Sequence, residues 1–161
     1  MKRVLLLIAV LLAAGNLHAQ TPAPITGSSF VCSGSTTTLS DATAGGTWSS
    51  SAPSVAVVGA STGVVSAVSL GTTVITYTTG SGYVTRLMTV KDIPTLTPSS
   101  FNACVNSTYT TTPSIPGGSW ASTTPAIATV NSTGLITGVS PGVATISYTA
   151  AGGCGTTATV T

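Results

Sequence analysis

The chain has 161 residues, only 4% of them charged, and a formal net charge of +2. Lys2 and Arg3 carry that excess; beyond residue 19 the charged side chains are Asp41, Arg86, Lys91 and Asp92, which cancel, and no His or Glu remains. Without clustered Lys and Arg there is no electrostatic basis for binding nucleic acid or an anionic membrane, and without paired carboxylates, a base beside a nucleophile, or a metal-ligand set there is none for catalysis.

Residues 1–19 read as a secretory signal peptide: Lys2 and Arg3, an apolar run over 4–14, then a short stretch ending in Ala19, where cleavage is expected. The apolar run is shorter than the roughly 20 residues a spanning helix needs. No later segment is apolar enough to cross a membrane, so the product is expected outside the cell. Residues 20–31 follow as an extended arm, with Pro22 and Pro24 disfavouring regular pairing. The rest is rich in Thr, Val, Ser and Gly, which favour strands and turns, and no window has a helical period.

The chain then repeats itself. Residues 25–30 (ITGSSF) match 96–101 (LTPSSF), Cys32 matches Cys104, Trp48 matches Trp120, and Pro53 matches Pro125. STGVVSAVSLGTTVITYT at 61–78 matches STGLITGVSPGVATISYT at 132–149, which aligns Tyr77 with Tyr148. A period of roughly 70 residues suits a small domain rather than a solenoid unit. The expected domains are therefore 20–92, including the arm, and 93–161. In the second copy, strands are predicted at 107–111, 118–122, 126–130, 135–139, 143–149 and 156–161. In 143–149, Ala144, Ile146 and Tyr148 alternate with Thr145, Ser147 and Thr149, so one face is inward. About seven short strands with regular turn signals make a β-sandwich. Trp48, Trp120, Tyr77 and Tyr148 are read as core aromatics, since the tryptophans follow a GG turn at the same place in both copies.

The shared pattern is GG-x-W, S/T-x-x-P-x-[VI]-A-x-V, S-T-G-[VL]-[VI]-x-x-V-S-x-G and [VI]-[TS]-Y-T. It resembles the bacterial immunoglobulin-like domain of group 2. That resemblance implies an all-β chain of two tandem Ig-like β-sandwich domains after a cleaved signal peptide. It also implies the setting such domains have: secreted or surface adhesins, and the spacers and stalks of larger extracellular proteins.

Three cysteines follow the signal. Cys104 lies early in the second copy and Cys154 just before its last strand, so a Cys104–Cys154 disulfide is expected, as an extracellular setting allows. Cys32 then has no counterpart to Cys154, whose slot falls at Tyr83 or Val84, and is read as a buried free thiol or as one bonded to another chain. No metal and no cofactor are expected.

With no catalytic set, the chain reads as a non-enzymatic extracellular structural protein. The sequence points to self-assembly into a fibre or matrix. The nearly uncharged surface leaves strand edges undefended. The arm, with Thr21, Pro22, Ala23, Pro24, Ile25 and Phe30, is a candidate donor strand for a neighbour's sheet, and the expected partner is then the chain itself. The alternatives are a monomeric adhesin or carbohydrate-binding module using loops near 80–83 or 152–155, with glycans as partners, and a piece of a longer stalk.

Overall fold

The computed structural model describes residues 21–161; the signal peptide read on 1–19 lies outside the described residues. Every regular element among the described residues is a strand. The first seven are β1 (Phe30–Cys32), β2 (Thr36–Thr38), β3 (Thr47–Ser50), β4 (Ala56–Val58), β5 (Val64–Ala67), β6 (Gly71–Thr79) and β7 (Gly82–Lys91). Then come β8 (Leu96–Thr97), β9 (Ser100–Phe101), β10 (Thr108–Thr110), β11 (Thr112–Pro113), β12 (Ser119–Ser122), β13 (Ala128–Val130), β14 (Leu135–Gly138), β15 (Ala144–Thr149) and β16 (Gly155–Val160).

Strands β1 to β7 pair only among themselves, and so do β8 to β16. The first group makes a four-stranded sheet, β1-β7-β6-β3, and a three-stranded sheet, β2-β5-β4. The second group repeats both, as β9-β16-β15-β12 and β10-β14-β13, and adds a two-stranded ribbon, β8-β11. In each larger sheet two long antiparallel strands form the central hairpin, and the entering strand lies parallel to the last one, β1 on β7 and β9 on β16. The six strands predicted in the second copy correspond to β10, β12, β13, β14, β15 and β16. The short β8, β9 and β11, each only two residues, fall outside those six segments.

Side-chain alternation sets which way each strand faces. In β15, Ala144, Ile146 and Tyr148 are buried while Thr145, Ser147 and Thr149 point outward. The first core gathers Leu39, Trp48, Val65, Ile75, Met88 and Val90; the second gathers Ile136, Ile146 and Val160 beside a smaller cluster around Leu96, Tyr148 and Ala158.

The repeated GG-x-W and Tyr are parts of one device. Trp48 stacks at a tilt on Tyr77 and Trp120 on Tyr148, each with ring centroids 4.6 Å apart. The Tyr77 hydroxyl donates to the Thr43 carbonyl (2.6 Å) and accepts from the Gly46 amide (2.9 Å). Tyr148 does the same with the Ile115 carbonyl and the Gly118 amide, both 2.7 Å. The two glycines serve different ends. Gly45 and Gly117 hold positive φ, 81° and 83°. Gly46 and Gly118 lie against the tyrosine ring, where a Cβ would collide with it. Trp48, Tyr77 and Tyr148 are buried, and Trp120 is half-buried against both clusters of its core.

Candidate functional site

The described residues include no group of three or more His, Cys, Asp or Glu placed to hold a metal, and no helix among them is long and apolar enough to cross a membrane. Chemistry-bearing side chains gather instead where the two sandwiches meet. The parallel strands β1 and β7 end side by side, with Cys32 opposite Lys91. The chain passes through exposed Asp92 and buried Pro94 into the second sandwich. The turn between β15 and β16, residues 150–154, comes up against that same end.

Four contacts close the joint. Cys32 and Cys154 form a disulfide with Cα atoms 5.8 Å apart. Lys91 Nζ donates to the Gly152 carbonyl at 2.9 Å. The same ammonium lies 4.3 Å from the centre of the Phe30 ring, within cation–π range. Gly153, at φ 91°, lies under that ring, where a Cβ would fall 2.6 Å from Cζ. The disulfide is almost fully shielded on one side, since Cys154 is 1% exposed.

These contacts correct several sequence expectations. The disulfide is Cys32–Cys154, not Cys104–Cys154, and the free, exposed thiol is Cys104, not Cys32. The reason is strand direction. Cys154 immediately precedes β16, whereas Cys104 lies beyond its far end, where the Ala103 amide bonds the Thr161 carbonyl at 2.7 Å. Six residues of strand at about 3.3 Å each separate them by about 20 Å, far beyond the roughly 7 Å a disulfide tolerates. Lys91, one of the few charges beyond the signal, is a joint residue. The loop at 152–155, read as a candidate ligand loop, is partly covered by Phe30 and Lys91.

The arm is also placed differently from expectation, because its own sandwich occupies it. Pro22 and Ile25 are buried, while Thr21 and Pro24 are exposed. The Ala23 amide donates to Thr43 Oγ1 at 2.9 Å, and Thr26 pairs with Ser40. Arg86 points inward from β7 and donates to the Ile25 carbonyl (2.8 Å) and the Gly27 carbonyl (2.6 Å). Phe30 and Val31 pair with β7. Within the single chain, then, the segment packs on its own sandwich.

One cleft, of about 230 Å³, opens beside the first aromatic pair and is lined by Leu39, Asp41, Thr43, Trp48, Thr62 and Tyr77 among others. It is smaller than pockets that enclose drug-sized ligands. Its single carboxylate, Asp41, caps the Thr43 amide through Oδ1 at 2.7 Å, leaving Oδ2 buried without a hydrogen bond.

Residues 103–160 match the family model of the bacterial Ig-like domain (group 2). No curated protein matches the chain. Among solved structures, the C-terminal 282-residue fragment of intimin, in complex with the intimin-binding domain of the translocated intimin receptor, is similar at 16% identity. The match covers 86% of this chain and 62% of that one, with a TM-score of 0.57. Invasin, a bacterial integrin-binding protein, is similar at 13% identity over 85% of this chain and 38% of its own, with a TM-score of 0.53. The chain thus spans less than two thirds of either structure, and these likenesses bear on the fold.

Proposed function

We propose that this chain, whose residues 103–160 are a bacterial Ig-like domain of group 2, works outside the cell as a non-enzymatic structural element, holding two Ig-like units in a fixed mutual orientation within a bacterial surface protein or assembly. The observation that carries this reading is the disulfide between Cys32 and Cys154, which ties one sandwich to the other. A bond inside one sandwich would stabilise a fold. A bond across the joint, buttressed by Lys91 and Phe30, restricts how two folds move against each other. Adjacent domains otherwise move relative to one another by default. The bond also suits an oxidising compartment, in keeping with the signal peptide read on 1–19.

The remaining polar chemistry agrees. Arg86 holds the arm, Lys91 the joint and Asp41 a turn, and Asp92 accepts the Ile93 amide, so all four charges beyond the signal have partners within the chain. Assembly through the arm as donor strand is not part of the proposal, since that segment would first have to leave Arg86 and β7.

Amide ¹⁵N relaxation on the oxidised chain tests the reading. One rotational correlation time is expected for both sandwiches, and two distinct times for Cys32→Ser. Independent tumbling of the sandwiches in the oxidised wild type would overturn it.

A further inference from the structure

The corresponding ends of the two sandwiches are built alike, and among the described residues the first is bonded to the neighbouring unit while the second carries a free thiol. In the first, the Cys32 carbonyl accepts the Ser35 amide at 3.0 Å across a turn with Gly34 at φ 70°. In the second, the Cys104 carbonyl accepts the Ser107 amide at 3.0 Å across a turn with Asn106 at φ 65°. Each turn is tied to the same place on its three-stranded sheet: Ala67 N–H to the Ser35 carbonyl, and Gly138 N–H to the Ser107 carbonyl. Cys104 therefore occupies in the second sandwich the position that Cys32 occupies in the first. At that position Cys32 is bonded to the hairpin turn of the sandwich that follows it.

We infer that Cys104 is the open half of a second joint of this kind, whose partner is a cysteine in the long-hairpin turn of a further Ig-like unit. The inference rests on the structural role proposed above. Three observations select that partner. Cys104 is the free cysteine among the described residues, and it is exposed. Its neighbour Val105 is 47% exposed, and Val139, just after the Gly138 that lies against the Cys104 carbonyl, is 44% exposed, so the end face offers apolar surface to cover. A second copy of this chain lacks the required partner: its Cys154 is bonded to its own Cys32, and its other hairpin turn, 80–83, has no cysteine.

Closing the bond removes two protons and two electrons from the two thiols. The acceptor is the disulfide of a thiol–disulfide oxidoreductase, which leaves as the dithiol; Cys32–Cys154 needs the same oxidant.

The test uses the full chain in the cells that carry its gene. Thiols are blocked with N-ethylmaleimide before lysis, and disulfide-linked peptides are mapped by mass spectrometry without reduction. The expected result is a Cys104 peptide linked to a cysteine between the two long strands of an Ig-like sandwich. That link is lost in Cys104→Ser, while the Cys32–Cys154 peptide persists. Cys104 found alkylated, capped by a small thiol, or linked to Cys104 of a second copy would overturn the inference. Those outcomes leave the first joint intact and its relaxation test unaffected, so the two proposals fail separately.

Discussion

Replacing Cys32 with Ser should destabilise both sandwiches by similar amounts, because the bond closes a loop of nearly the same length through either one. The register sets those two lengths. Cys32 stands opposite Lys91 at the end of parallel β1 and β7, so while the first sandwich is folded these two residues are fixed neighbours. When the second sandwich unfolds alone, the bond to Cys154 closes a loop that runs only from Lys91 to Cys154, roughly 60 residues. On the chain-entropy model that constraint contributes about 4 kcal/mol to the second sandwich. When the first sandwich unfolds alone, Cys154 stays beside the linker, where Lys91 reaches Gly152, and the bond closes a loop from Cys32 to Lys91, again roughly 60 residues and about 4 kcal/mol. Small domains sit near the low end of the usual range of about 5–15 kcal/mol, so a loss of this size takes most of a unit's stability while leaving about 1 kcal/mol, enough to keep it mostly folded at 25 °C. Urea titrations resolve the two transitions: Trp120 fluorescence in a Trp48→Phe background reports the second unit, and Trp48 in Trp120→Phe the first. Cys154→Ala should agree in direction and add the loss of a buried side chain. A large loss confined to one unit, or losses below about 1 kcal/mol in both, would refute the argument that the bond acts across the joint.

Three other outcomes follow from the same contacts. Tyr77→Phe and Tyr148→Phe each strand a glycine amide and a loop carbonyl, so each should cost its own sandwich about 1–2 kcal/mol, by near-equal amounts, in the same titration. Arg86→Met keeps the packed stem but drops the bonds to the Ile25 and Gly27 carbonyls. It should cost the first sandwich about 2 kcal/mol and open the chain ahead of Ile25 to thermolysin, where the wild type should stay protected. Gly118→Ala drives a Cβ into the Tyr148 ring and should cost about 2 kcal/mol or more through overpacking, whereas Gly117→Ala, with nothing within 4 Å, should show only the smaller penalty of its positive φ.

Much of this fold can be read from the residues because it is encoded locally. Alternation in 143–149 is enough to orient β15, and paired glycines before a tryptophan, with a tyrosine about thirty positions on, mark one hydrogen-bonded turn in each copy. What holds the arm in its own sandwich is distant in sequence. Its prolines suggest a loose segment, but Arg86, some sixty residues later, supplies the two donors that bind it. Read as one of four scattered charges, Arg86 carries no signal of that task. The signal available was parity: with Met88 and Val90 inward on β7, Arg86 must also face inward, and an inward arginine needs carbonyls.

The disulfide was misassigned for a different reason. Pairing Cys104 with Cys154 assumes that a sandwich is bonded within itself, as the repeat invites. Strand direction forbids it: the last strand starts beside Cys154 and finishes beside the segment carrying Cys104, so the two cysteines mark opposite ends of one unit. In a tandem chain, the finishing end of one unit is where the next unit begins. A cysteine at a finishing end and a cysteine at a hairpin turn are therefore neighbours only across a joint. Cys32 and Cys154 satisfy that rule between the first unit and the second. The first unit carries only a finishing-end cysteine, and the second carries both kinds. The position of each cysteine along its strand, more than the odd number of them, thus decides which bond forms and in which direction the unpaired thiol faces.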